Sequence, residues 1–397
     1  NKTFYFLEDG RCFIVREETS TGYMHLYLYG IGQGVLHPIT QGEWEVTDFV
    51  GLRGDKVYYI STESSPLKRD LYRVGLDGKH KERLTPGDGY YSIYPSADLS
   101  YYICEGGDSS APGRTDVFNA AGKRVRTLYD NAPLKEALVE AGLPVREFFT
   151  FTTERGDELN GYMLKPLDFD PAKRYPVLLT QYSGPGSQQV AEGWGPDWED
   201  ALVTHGYIVV CVDPRGTGYR GEEFKKLTYG NLGRLEVEDQ ISTARYMARQ
   251  SYVDPARIGI YGWSYGGFMA LGCAFRGEGL FKMAIAVAPV TSWRYYDSIY
   301  TENFNGLPDD YPKGYDDNSP VNLAHLFRDD STRLLIVHGT ADDNVHFQNT
   351  MEMARALNKL GKQYDMMVYP DQNHSMMPDD MIHAVSYTHL RAHETKA

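Results

Sequence analysis

A serine, a carboxylate and a histidine follow one another along this chain in an order that suits nucleophilic acyl chemistry. The serine lies in Gly262-Trp263-Ser264-Tyr265-Gly266-Gly267. A serine hydroxyl is a weak nucleophile until an imidazole takes its proton, and a carboxylate must hold that imidazole in the right tautomer. His374 is the favoured base, because it ends the short loop Asp371-Gln372-Asn373-His374 after the last apolar segment. His346 lies four residues past Asp342, too near it to bridge to Ser264, and His383, His389 and His393 belong to a polar terminal stretch. Asp342 and Asp343 compete for the acid, and spacing does not choose between them. The transition state needs hydrogen-bond donors for its oxyanion. The backbone N–H of Tyr265 is one, and the hydroxyl of Tyr182, in Gln181-Tyr182-Ser183-Gly184-Pro185, could be a second. A tyrosine packed into the core is the competing reading of Tyr182.

These residues need a scaffold that brings them together. Arg257 to Tyr261 reads as a buried strand and Phe268 to Ala274 as the first turns of a helix, so the Gly-x-Ser-x-Gly run sits on a strand-to-helix turn. That context gives a nucleophile elbow, where Cβ atoms at Gly262 and Gly266 would collide with backbone. Without it the run would be a glycine-rich turn with a bystander serine. From Glu147 onward, apolar strands alternate with helices, which implies a mostly parallel, doubly covered sheet of the α/β-hydrolase class. Strands are expected at Gly161–Pro166, Tyr175–Tyr182, Tyr207–Asp213, Met283–Pro289, Leu334–Gly339 and Tyr364–Pro370. Val237, Ile241, Ala244 and Ala248 form one apolar helical face. Functional loops of such sheets leave the carboxyl ends of the strands. Serine, then acid, then histidine at successive strand ends is the hydrolase order.

The first 130 or so residues are different in kind. They hold short Tyr-rich alternating runs separated by turn signals and no convincing helix. Leu26-Tyr27-Leu28, Leu71-Tyr72-Arg73-Val74 and Val117-Phe118-Asn119 recur at steps of 45 and 46 residues, each before a glycine-bearing turn. That period in an all-β region predicts propeller blades of four strands, with a β-sandwich as the alternative. Roughly three blades fit, fewer than the ~4 to 8 of a closed ring. With Asn1 in place of an initiating methionine, the expectation is a partial propeller over 1–132 whose N-terminal part is missing. Ala132 to Gly142 reads as a linking helix, and the catalytic domain is expected over 133–397. The net charge of −14 argues against nucleic-acid partners, and no apolar run approaches a membrane span. Cys12, Cys104, Cys211 and Cys273 are far apart, and the last two read as small core residues.

Three motifs then act together: Gly262 to Gly267, Trp293-Arg294-Tyr295-Tyr296-Asp297-Ser298, and His338-Gly339-Thr340-Ala341-Asp342-Asp343-Asn344-Val345-His346-Phe347-Gln348. They resemble the dipeptidyl peptidase IV family of prolyl-oligopeptidase-type serine peptidases, across the hydrolase region and more loosely in the blades. The resemblance implies that Asp342 is the acid and that Tyr182 donates to the oxyanion. It implies a proline pocket lined by Tyr265, Val290, Trp293, Tyr296, Tyr300 and Val345, with Asn344 holding the carbonyl of the preceding residue. It implies peptide substrates with proline or alanine at the second position, no metal or cofactor, an exported protein, and a homodimer formed through the hydrolase domain. Three departures stand out. The family's glutamate pair for the substrate amine should lie before Asn1, and neither Glu17-Glu18 nor Glu222-Glu223 is in its context. Asn303 stands where the family has an arginine. The tail from about residue 387 has little apolar face and reads as non-native. The competing functions are a post-proline endopeptidase or esterase on the same three residues, and an inactive binding scaffold.

Overall fold

A computed structural model describes residues 3–18 and 21–376. The tail from about residue 387 lies outside these residues. The chain divides into two compact units. The first holds residues 1–145 with 191–196 and 218–225, and the second holds 146–190, 197–217 and the remainder from 226.

The first unit contains three four-stranded sheets, each built from strands consecutive in the chain. They are β1 (Phe4–Phe6), β2 (Cys12–Glu18), β3 (Met24–Gly30) and β4 (Gly34–Pro38); β5 (Val46–Arg53), β6 (Lys56–Ser61), β7 (Asp70–Gly75) and β8 (Glu82–Arg83); and β9 (Tyr90–Pro95), β10 (Tyr101–Gly107), β11 (Arg114–Asn119) and β12 (Arg124–Tyr129). The pairing is antiparallel throughout. Leu26, Leu71 and Val117 stand in the third strand of their respective sheets, so the sequence period is the blade period. Strand β6 shows how blades stack. Val57 and Tyr59 join Ile14, Leu26 and Val46 in one apolar cluster, while Tyr58 and Ile60 join Leu71, Tyr102 and Phe118 in the next. Both faces of β6 are therefore buried, which is why Val57-Tyr58-Tyr59-Ile60 reads as apolar without interruption. Segment 218–225 is stitched to the first blades: the Glu45 carboxylate accepts from the Gly221 N–H at 2.9 Å, and Lys225 pairs with Glu18. Glu18 is thus engaged within its own unit.

After β12 the chain forms the helix Ala132–Ala141, with proline in its first turn and Gly142 at φ 62° closing its end. None of its residues is buried. It belongs to the first unit, whereas the sequence alone placed it at the start of the catalytic domain.

The second unit is built on eight strands: β13 (Glu147–Thr152), β14 (Glu158–Leu164), β15 (Tyr175–Thr180), β16 (Ile208–Asp213), β17 (Val253–Trp263), β18 (Met283–Val287), β19 (Arg333–Gly339) and β20 (Asp365–Tyr369). Their order is β13-β14-β16-β15-β17-β18-β19-β20. β13 and β14 pair antiparallel and the other six run parallel. Every residue of β15 and β16 is buried, as their unbroken apolar runs require. The chain passes from β15 to β16 on one side and then to β17 on the other. The strand order therefore reverses between β15 and β17, and the crevice beyond that reversal is where open α/β sheets bind ligands. This is an α/β-hydrolase sheet preceded by propeller-like blades. The helix Leu235–Ala248 buries Val237, Ile241 and Ala244 and packs beside the helix Tyr265–Arg276 that follows the elbow.

Candidate active site

Ser264 sits between the end of β17 and the N-terminus of the helix Tyr265–Arg276, at φ 62° and ψ −116°. A non-glycine residue pays strain for that conformation, and the surroundings must enforce it. Its N–H donates to the Val287 carbonyl at 2.8 Å. A Cβ on Gly262 would lie 2.1 Å from the Gly266 carbonyl oxygen, and one on Gly266 would lie 2.4 Å from the Gln181 carbonyl oxygen. The obstacles are backbone atoms, so only glycine fits either place. The turn leaves Ser264 half-buried at the start of a helix whose free amides favour negative charge.

Asp342 follows β19 and is buried. Its Oδ1 accepts from the N–H groups of Asn344 at 3.0 Å and Val345 at 2.9 Å. Its Oδ2 faces His374 Nδ1 at 2.7 Å and His338 Nε2 at 3.1 Å. Burial alone would raise this carboxyl, but the hydrogen bonds from His338 and His374 outweigh it and hold the group well below the usual carboxylate range. An ionised carboxylate can only accept. His374 Nδ1 therefore carries its proton, which leaves Nε2 with a free lone pair. Asp343, the competitor in sequence, is exposed.

His374 is fixed at a second point. The Trp263 indole N–H donates to the His374 carbonyl at 3.2 Å, so the histidine loop is tied to the residue immediately before Ser264. Among the described residues, no hydrogen bond joins the Ser264 hydroxyl to the His374 ring. Contacts of this kind are often long in unliganded hydrolases and tighten around substrate.

Tyr182 comes just after β15, on the far side of the strand-order reversal from Ser264. Its ring centroid lies 5.9 Å from that of Tyr265. Burial raises its hydroxyl, so it keeps its proton at neutral pH and remains a donor. The loop that carries it is held by Gln181, whose side-chain amide donates to the Gly266 carbonyl at 2.8 Å and accepts from the Ser183 hydroxyl at 2.9 Å.

Beside the elbow, Trp293 is 1% exposed and stands among aromatic rings: Tyr265 at 5.4 Å, Phe268 at 5.0 Å, Tyr296 at 6.1 Å and Tyr300 at 6.2 Å between centroids. Val290 and Val345 are buried. The Tyr296 hydroxyl donates to Asn344 Oδ1 at 2.7 Å, joining the loop after β18 to the loop after β19. Burial pushes Tyr296 up to about 12 and raises Tyr300 further. Both stay neutral at physiological pH. Asn303 is exposed on the helix Ser298–Asn305.

Comparison with known proteins places this arrangement. Residues 194–390 match the prolyl oligopeptidase family, and residues 1–112 match the dipeptidyl peptidase IV N-terminal region. The chain belongs to the prolyl oligopeptidase family, in its dipeptidyl peptidase IV branch. It is 41% identical over 366 residues to a probable dipeptidyl-aminopeptidase B of Aspergillus niger, covering 89% of this chain and 40% of that one. A Trichophyton verrucosum relative of the same name is 39% identical over 381 residues, covering 93% and 42%. The crystal structure of Porphyromonas gingivalis dipeptidyl peptidase 4 matches with a TM-score of 0.93 at 41% identity, over 98% of this chain and 55% of that one. A putative dipeptidyl aminopeptidase IV from Bacteroides ovatus matches with a TM-score of 0.90 at 27% identity, covering 98% and 58%. The chain thus spans about two fifths of the length of the curated relatives it matches.

Three residues around the site of this family member escape sequence reasoning. Gln181 and Glu236 reach the elbow from 85 and 29 residues away. His338 lies inside a quoted motif, but its contact with Asp342 depends on the turn after β19. Among the described residues, no group of three His, Cys, Asp or Glu side chains could hold a metal ion, and no helix is long and apolar enough to cross a membrane.

Proposed function

We propose that this chain carries the catalytic machinery of a serine dipeptidyl peptidase that releases X-Pro and X-Ala dipeptides from peptide N-termini. The observation that carries the reading is the pair of ties on His374: its ring to Asp342 at 2.7 Å and its main chain to Trp263, the neighbour of Ser264. In this mechanism Ser264 Oγ attacks the carbonyl carbon of the second residue, while His374 Nε2 takes the hydroxyl proton. The Tyr265 N–H and the Tyr182 hydroxyl receive the charge on the oxygen. His374 then gives its proton to the leaving amine, and the peptide bond breaks to an acyl-serine. A water molecule repeats the attack, and the dipeptide leaves as a free acid. Asp342 stays ionised and stabilises the imidazolium.

The proline reading draws support from the aromatic surround of Trp293. A pyrrolidine ring would bury against Tyr265, Trp293, Tyr296 and Tyr300, closed by Val290 and Val345, and such a ring needs no charged partner. Asn344 would hold the carbonyl of the first residue. The test compares Gly-Pro-p-nitroanilide with the same compound blocked at its amine. Hydrolysis of the free form at least ~100-fold faster is expected of a dipeptidyl peptidase whose amine-binding carboxylates are present, since a blocked amine leaves them unpaired. Equal rates would assign an endopeptidase or esterase instead.

A further inference from the structure

Glu236 is the most unusual ionisable group near this site. It lies in the first turn of the helix Leu235–Ala248 and is 0% exposed. Its Oε1 accepts from the Tyr265 hydroxyl at 2.7 Å, and its Oε2 accepts from the Gly233 N–H at 3.0 Å. Among the described residues no lysine, arginine or histidine pairs with it. The charged groups around it give little relief. Asp239, one turn along, repels it and is itself bound by Arg215. Arg276, at the end of the post-elbow helix, spends its guanidinium on the Gly233 and Asp317 carbonyls and on Asn318. Across the pocket, Tyr300 is neutral. A buried carboxylate without a cation costs stability. What its carboxylate provides is two acceptors in a dry place, one of them for the only polar contact of the Tyr265 side chain among the described residues.

We propose that Glu236 is a positioning residue of the site: by holding the Tyr265 hydroxyl it fixes the first turn of the post-elbow helix, and with it the Tyr265 N–H aimed at the oxyanion. This rests on the serine-peptidase reading above. Tyr265 is the hinge of the argument, because one residue supplies both the oxyanion donor and a wall of the pocket. Its ring already packs on Phe268 and Trp293, at 5.3 and 5.4 Å. Packing resists displacement across the ring but does little against rotation about its long axis or sliding along it. The hydroxyl bond supplies that restraint. Glutamine replaces the carboxylate only in part. With its oxygen on Tyr265, its NH2 meets the Gly233 N–H donor to donor. Turned the other way, its oxygen accepts from the Gly233 N–H and its NH2 can donate to the Tyr265 oxygen, but the hydroxyl hydrogen loses its carboxylate acceptor.

The experiment uses the full chain as Glu236→Gln, Tyr265→Phe and the double variant. Three quantities are measured: kcat and KM on Gly-Pro-p-nitroanilide, the rate of Ser264 modification by a fluorophosphonate, and the melting temperature against pH. Each single change should lower kcat and the modification rate about tenfold or more while KM moves less than about threefold, and the double should fall no further than the lower single. The carboxyl is pushed up to about 7 from an ordinary 4.5, chiefly by burial. The folded parent therefore holds a proton that the unfolded chain has lost in that interval, and its stability declines as pH rises through it. The melting temperature of Glu236→Gln relative to the parent should accordingly climb between those pH values and then level. A role confined to helix packing would move melting temperature and leave kcat alone. A kcat within about twofold of the parent in both singles, or a double that falls by the product of the singles, overturns the proposal. If the parent itself is not modified at Ser264, the peptidase reading fails and takes this inference with it; if the parent reacts and the variants react equally fast, only the inference fails.

Discussion

The Trp263 indole donates to the His374 carbonyl across 3.2 Å, although the two residues are 111 positions apart. The bond joins the end of β17, in the middle of the sheet, to the loop after the edge strand β20, with β18 and β19 between them. It couples the residue before Ser264, the proposed nucleophile, to His374, the proposed base. The base cannot drift from the elbow without breaking it.

Ser264→Ala should fold like the parent and lose on the order of a millionfold in turnover, the loss seen when a serine nucleophile is removed. The change removes one half-buried hydroxyl with no hydrogen bond among the described residues. Melting temperature and steady-state rate check both halves of the statement.

Tyr182→Phe should lower kcat by ~10² to 10³ and barely alter KM, because an oxyanion donor acts chiefly in the transition state. The ring stays beside Tyr265 in either form. An unchanged kcat would return Tyr182 to the role of a packed core tyrosine.

Asp342→Asn should reduce kcat about 10⁴-fold by favouring the wrong His374 tautomer. It also carries a pH signature. The folded carboxyl sits well below its ordinary 3.8, against the pull of burial, because His338 and His374 donate to it. A depressed carboxyl contributes stability that is complete above the unfolded value and is lost as pH falls through the folded one. The difference in melting temperature between parent and Asp342→Asn should thus be constant above that value and shrink below it. A difference independent of pH would mean that the carboxylate carries no such coupling.

Gly262→Ala should destabilise the protein by about 2 kcal/mol or more, since the added carbon meets the Gly266 carbonyl and neither backbone segment can yield. Denaturant unfolding reads this directly. A loss below about 0.5 kcal/mol would show that the elbow relaxes.

Much of the fold is legible in the sequence, because local rules and tertiary demands agree there. The 45-residue step lands on β3, β7 and β11, one strand per blade. Strand β16 reads as fully apolar and is fully buried. The elbow needs only a strand, two glycines and a helix. Other features depend on contacts that no local pattern records. Asp342 and Asp343 are equivalent as letters, and only the turn after β19 points one at His374 and leaves the other exposed. Glu236 reads as an ordinary acidic residue in a first helical turn, where a solvated carboxylate favours the helix dipole. Its burial against Tyr265 appears only when the two helices pack. Segments 191–196 and 218–225 lie within the hydrolase stretch of the sequence yet group with the propeller-like unit. Their polar and glycine-rich composition carries no address.

Covalent labelling tests most directly whether His374 makes Ser264 reactive. The parent and His374→Ala would be treated with a fluorophosphonate probe and the modified peptide identified by mass spectrometry. A single adduct on Ser264 in the parent, formed at least ~10³-fold more slowly in His374→Ala, is the expected result. Equal labelling of the two proteins, or no adduct on Ser264, would contradict it.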